Sequence, residues 1–308
     1  MANAINNMKD APGVIAKLAA KMLADKVVFC KSIDKEDSSN FDGMNGYNSG
    51  DTIQISKPAR FTVGTSADVT SAIQDVTEEK VSLPLDIRKV VAVELTSAEI
   101  ATELALKSWA KRVLEPQVSL MAQSIESTVL SRAVDATSNL VGTAGSTVFD
   151  TETCLKANQK ISEFACPDFD GRFTVLNPAA NTSATNARKG LFQSSEDIRS
   201  QYRKGYMGTA DGFDYLQTNL VPLHTNGNDV TGVNVDGASQ TGATLNAQGF
   251  TANTGTVTAG SVFTIAGVNA VHPITKDDQG YLQQFVVTAD GTADANGDIA
   301  LAISTTGS

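Results

Sequence analysis

The sequence predicts an α+β protein, and three observations carry that expectation. Apolar residues recur at helical spacing over residues 11–29 and again over about 97–134. Apolar and polar residues alternate strictly over residues 80–88. Beyond about Asn228 the chain becomes a series of strand-like runs between glycine-rich turns. Its 308 residues make about two domains at roughly 150 residues each. A hydrophobic fraction of 41% suffices for a core, and the charged fraction of 19% lies below the usual ~25%.

The N-terminal stretch carries Val14, Leu18, Met22 and Val28 with Ala16, Ala19, Ala20 and Ala24, the pattern of an amphipathic helix. A helix this short is marginal alone. Two readings stand side by side: it packs on its own domain, or it is an arm that docks on a neighbouring copy and presents Leu18 and Met22. Residues 34–51 are dense in Asp, Ser, Asn and Gly and read as loop. A strand then spans residues 52–56, with Ile53 and Ile55 on one face, and ends at Lys57-Pro58. In the next extended run Val81, Leu83, Leu85 and Ile87 alternate with Ser82, Pro84, Asp86 and Arg88. Pro84 makes it an edge or partner-dependent strand. Together, residues of about 50–95 read as a long two-stranded projection. An isolated hairpin is marginal in water, so the projection needs a surface to lie on, and the nearest is another copy of the chain. The candidate interface residues are Ile53, Ile55, Pro58, Val81, Leu83, Leu85 and Ile87, with Leu18 and Met22 of the arm.

Thr96-Ser97-Ala98-Glu99 has the form of a capping box. It opens a helix whose path meets Pro116, which fits either a kink or the first turn of a new helix. Val118, Met121, Ala122, Ile125 and Val129 form one apolar face, with Gln123, Glu126 and Arg132 facing elsewhere. This is the longest regular element, about residues 97–134. Asp150 can cap a further helix carrying Leu155, Ile161 and Phe164, which stops at Cys166-Pro167. Residues 173–176 read as a buried strand ended by Pro178, and 179–204 as a polar helix. The glycines from Gly205 to Gly212 read as turn residues needing positive φ. Residues 231–308 hold one base and six acids, a net charge of −5 out of −10 for the chain. Runs at 262–265, 285–288 and 299–303 suggest a small β-barrel or sandwich, with Phe263 and the stretch from Tyr281 to Phe285 in its core.

Several functional classes find no support. No stretch approaches the ~18 apolar residues of a membrane helix, and residues 1–10 lack the layout of a signal peptide. Cys30, Cys154 and Cys166 have no metal-type spacing and read as reduced thiols. The acidic balance of 24 basic against 34 acidic residues argues against a protein held on DNA by charge. His224 and His272 are the only histidines, each without a partner at ligand spacing. No nucleophile elbow, phosphate loop or dinucleotide fingerprint occurs. Asp277 and Asp278, with Asp290 and Asp294, read as solvated turns rather than a calcium site. Lys107, Lys111, Arg112 and Arg132, near Trp109, read as a solvated helix face paired with Glu103, Glu115 and Glu126. The expectation is no catalytic residue, no cofactor and no metal. A β-rich adhesion or tail-associated module and a cytoplasmic enzyme are the competing readings. The long projection argues against the enzyme, and the long capped helix against the fibre-like module.

The order of elements resembles the phage major capsid proteins of the Hong Kong 97 fold, most of all the short-tailed Salmonella phage coat proteins with an inserted β-barrel domain. The resemblance rests on the stretch from Gly50 to Pro58, on Leu95 to Glu103, and on Arg172-Phe173-Thr174-Val175-Leu176-Asn177-Pro178. It continues through Gly212-Phe213-Asp214-Tyr215 to Leu220-Val221-Pro222-Leu223-His224, and through Thr256 to Thr288. It implies an arm at 1–38, an extended loop at 39–95 and a spine helix at 96–140. A central domain begins at 141–229, and an inserted barrel occupies 230–308, with the native chain expected to continue. It further implies a structural protein whose copies tile as hexamers and pentamers around packaged double-stranded DNA, enclosed without specific binding. A scaffolding protein and a portal would take part in assembly in the host bacterial cytoplasm, no membrane would be involved, and the finished protein would reside in the virion.

Overall fold

Alternation in the sequence becomes a ladder in the structure. The computed structural model describes residues 19–23, 27–33, 52–56, 61, 70, 73–76, 78, 80–92, 110–143, 145, 149–166, 171–188, 209–229 and 232–304. The chain divides into two compact units, Ser32–Trp109 and the combination of Met1–Lys31 with Ala110–Ser308. In the smaller unit Thr52–Ser56 (β1) pairs antiparallel with Lys80–Pro84 (β2), Ile53 opposite Leu83 and Ile55 opposite Val81. Pro84 lies opposite Thr52 at the last rung, where its missing N–H costs no interior bond.

In the larger unit residues 19–23 are helical, and Phe29–Lys31 forms a 3₁₀ turn. A π-helical turn, Ala110–Leu114, runs into the helix Glu115–Ala136 (α1), with Pro116 in its first turn. The proline therefore opens the α-helix. The wider turn before it is where its ring would otherwise meet a carbonyl four residues back. The capping box at Thr96 and Glu99 and the upstream helical run lie outside the described residues.

The buried face of α1 differs from the expected one. Val118, Ala122, Glu126 and Leu130 are buried, at a spacing of four, while Met121, Ile125 and Val129 are half-exposed. Glu126 thus faces inward, because it is bound to the backbone of the N-terminal segment and not to a basic side chain.

Asp150 caps the next helix as expected: its carboxylate accepts the Thr153 amide at 2.8 Å, and Thr151–Glu163 (α2) follows. Phe173–Leu176 (β3) is half-buried, with only Leu176 fully covered. Pro178 does more than end it. Asn177 caps, and Pro178–Ala187 (α3) begins at once. Residues 189–208, including Gly205 and Gly208, lie outside the described residues. Thr209–Ala210 (β4) and Phe213–Gln217 (β5) complete a three-stranded sheet ordered β3-β5-β4, with β3 parallel and β4 antiparallel to β5. Gly212 takes the expected positive φ in the turn between β4 and β5. Cys154, Leu176, Ala184, Phe213 and Tyr215 form this unit's first core.

The C-terminal part has its own core of Leu245, Ala247, Phe250, Val287, Ala293, Ile299 and Leu301. Its strands are Asn234–Val235 (β6), Thr244–Gln248 (β7), Thr256–Val257 (β8), Val262–Val271 (β9), Asp278–Val286 (β10), Gly291–Thr292 (β11) and Asp298–Ala302 (β12). They pair as β12-β7-β6, β11-β8 and β10-β9. The pairs Ile299–Ala247 and Leu301–Leu245 place four apolar side chains on one buried face. Two strands are longer than the short, evenly spaced set expected: β9 has ten residues and β10 has nine. Their register shifts twice, and Gly267 and Gly280, both at positive φ, lie within the two irregularities. These bulges interrupt the alternation that would have marked long strands. Phe263 and Phe285 stack at 5.6 Å, half-buried, with Phe263 against the core.

Candidate functional site

Period-two chemistry makes the β1–β2 ribbon two-faced. Partners across an antiparallel pair share a face, so Ile53, Ile55, Val81 and Leu83 lie together. The opposite face is polar, with Gln54 Nε2 donating to Ser82 Oγ at 2.7 Å. Ile53 and Ile55 are half-buried, while Val81, Leu83, Leu85, Ile87, Val90 and Val91 are exposed. Leu85 and Ile87 continue the apolar period past the last rung. Covering the exposed half of such a side chain is worth about 1 kcal/mol. Met22 is half-buried in the helical segment 19–23. Leu18 and Pro58 lie outside the described residues.

In the N-terminal segment, the Val28 amide donates to Glu126 Oε2 at 2.8 Å. Phe29 meets the Phe173 ring at 6.0 Å in a tilted arrangement. Glu126 is 2% exposed, and its second oxygen, Oε1, has no hydrogen-bond partner among the described residues. Beside it lies a cleft of about 360 Å³ lined by Val28, Gln123, Gln217, Thr218 and Asn219 among others. Sequence reading missed this arrangement, because a carboxylate on an amphipathic helix reads as solvent-facing. The available hint was the spacing of four that links Val118, Ala122, Glu126 and Leu130.

The first core contains a polar cluster. Cys154 Sγ lies 2.9 Å from the Tyr215 hydroxyl, and Arg188 donates to that hydroxyl at 2.7 Å and pairs with Asp211. Burial pushes the Cys154 thiol up, the opposite of what a nucleophile needs. Burial, with the hydrogen bond to Cys154, also pushes the Tyr215 phenol far up. The cluster therefore ties α2, β5 and the end of α3 together.

Of the expected turn carboxylates, Asp278 and Asp294 accept amides of their own turns, and Asp290 accepts one 31 residues away. Asp278 accepts from the Gly280 amide and from Asn269, Asp290 from Ala259, and Asp294 from Asn296 and Asp298. His272 Nδ1 accepts from the Ile274 and Thr275 amides, and His224 contacts Asn226. Among the described residues no group of three or more His, Cys, Asp or Glu could hold a metal, and no helix is long and apolar enough to cross a membrane. Lys107, Trp109 and Glu103 of the expected basic stripe lie outside the described residues. Arg112 and Arg132 are exposed, and Glu126 is not their partner.

The family model described as P22 coat protein - gene protein 5 matches residues 4–305. The chain belongs to the P22 coat protein family. It is a major capsid protein of a tailed phage, its role is structural, and it assembles with copies of itself into the shell of the virion. No curated protein matches the chain. Among solved structures, a chain titled Mycobacterium phage Che8 aligns at 14% identity with a TM-score of 0.43. The alignment covers 89% of this coat protein and 90% of that chain. At that level of similarity it adds nothing to the family match. For a coat protein, the exposed apolar ribbon and the cleft beside Glu126 become the surfaces of interest.

Proposed function

We propose that this coat protein has the Hong Kong 97 architecture and builds an icosahedral shell of hexamers and pentamers around double-stranded DNA. The arm occupies residues 1–38, the extended loop 39–95, the spine helix 96–140 and the first part of the central domain 141–229. Residues 230–308 form an inserted barrel. A scaffolding protein and the portal join during assembly in the host cytoplasm, the DNA is enclosed without specific binding, and the subunit performs no catalysis. The ribbon of each subunit lies across its neighbour.

One observation carries this reading. Ile53, Ile55, Val81 and Leu83 share a face of a two-stranded ribbon, and the same period runs on through exposed Leu85 and Ile87. A lone ribbon with such a face gains little from folding by itself. It gains much from lying on a second surface, and a homo-oligomeric shell supplies an identical surface to every copy. The acidic composition suits a container from which DNA must leave, since a net charge of −10 gives the genome little to bind.

Electron microscopy of particles from expressing cells tests the reading. The parent protein is expected to form closed shells. Leu83→Asp is expected to keep its circular dichroism and remain as unassembled subunits. Shells of normal yield and size from Leu83→Asp would overturn the role given to the ribbon.

A further inference from the structure

The cleft beside Glu126 contains a buried carboxylate oxygen that no described group meets. Glu126 is 2% exposed, its Oε2 accepts the Val28 amide, and its Oε1 is buried without a partner among the described residues. A desolvated carboxylate oxygen is stable only when a donor or a cation meets it. The described walls supply neutral groups: Gln123, Gln217, Thr218 and Asn219. Among the described residues none of these groups donates to Glu126 Oε1. The cleft, about 360 Å³, reaches the surface at the exposed Gln123 and has room for a side chain entering from outside.

We propose that this cleft receives the Lys89 ammonium of a second copy of the chain. The inference rests on the ribbon reading above and names the surface the ribbon meets. Lys89 is exposed. The sequence period of two that aligns Val81, Leu83, Leu85 and Ile87 continues to position 89, five residues beyond the end of β2. A ribbon that lays its apolar side on a neighbour therefore carries Lys89 to that neighbour. Charge complements charge: residues 80–91 hold Lys80, Arg88 and Lys89 against one acid, Asp86, whereas the cleft presents a carboxylate and no base among its lining residues. The geometry favours lysine over arginine. Val28 occupies one carboxylate oxygen, so only one is free, and a guanidinium fork needs two. A compact ammonium on a four-carbon stem suits a single acceptor lining a cleft of this size.

The first test leaves Lys89 and Glu126 in place. Val91→Cys and Gln123→Cys are made as separate variants with Cys30 and Cys166 replaced by serine, and the two are co-assembled into mixed shells and oxidised. A covalent dimer joining one cysteine of each kind is expected in mixed shells and not in shells of either variant alone. In parallel, trypsin cleavage after Arg88 is compared between shells and dissociated subunits. Ribbon protection in shells without the 91–123 dimer would overturn the Glu126 cleft as its seat and leave the ribbon reading standing. Equal cleavage in shells and subunits would overturn both. Lys89→Met adds a chemical readout: at equal concentration it is expected to lower shell yield about tenfold, whereas Lys80→Met, on the polar face, leaves the yield within twofold. Equal yields from the two variants would count against Lys89 as the partner of Glu126.

Discussion

At the scale of single residues, the most consequential groups are buried and polar. Tyr215 joins Cys154 to Arg188, and Arg188 holds Asp211. Asp211→Ala strands a guanidinium that is nearly fully buried, and the expected loss of stability is roughly 3–5 kcal/mol. Tyr215→Phe removes one hydroxyl from the same cluster and is expected to cost about 2 kcal/mol. Urea unfolding of dissociated subunits measures both, and a larger loss for Tyr215→Phe than for Asp211→Ala would reverse the assigned order. The turn aspartates give a pH signature. Backbone amides hold three carboxyls below the usual range: that of Asp298 acts on Asp294, that of Gly280 on Asp278 and that of Thr251 on Asp229. A carboxyl lowered on folding stabilises the fold above its unfolded pKa. That contribution disappears as pH falls through the folded value, below about pH 4. Asp294→Asn retains an acceptor oxygen without the charge. Its acid-side loss of stability is expected to be shallower than the parent's in unfolding curves taken between pH 5 and 2, and an identical slope would contradict the assignment.

At the scale of elements, the β9–β10 hairpin is tied to the helical part by side chains imitating backbone. Gln284 Oε1 accepts the Leu140 amide at 2.8 Å and its Nε2 donates to the Leu140 carbonyl at 3.1 Å. Lys160 reaches both Gln284 and that carbonyl, and Gln279 donates to the Glu163 carbonyl. Gln284→Ala is therefore expected to speed hydrogen exchange of the Leu140 amide by tenfold or more while the amides of β7 and β12 stay protected. Unchanged exchange at Leu140 would show that the tie carries no load. How much of these elements the sequence reveals follows from the range of the forces that set them. The Asp150 cap and the β1–β2 ribbon are legible, because a cap acts over three residues and a ribbon face repeats every second one. The inward turn of Glu126 is not legible, because its partner Val28 is 98 residues away. The lengths of β9 and β10 are obscured for a different reason: bulges at Gly267 and Gly280 break the period by which strands are recognised.

At the scale of the whole molecule, the coat protein combines cores that close on themselves with a ribbon that does not. The larger unit buries Leu176, Phe213 and Tyr215 around one sheet and Leu245, Ile299 and Leu301 around another. The smaller unit leaves Val81, Leu83, Leu85 and Ile87 in solvent. A shell built from many identical contacts can use such a surface at every subunit. Hydrogen exchange on peptides spanning residues 52–56 and 80–91, compared between dissociated subunits and assembled shells, addresses this division most directly. Fast exchange in the subunits and strong protection in shells is the expected result; protection already complete in the isolated subunit would contradict the account.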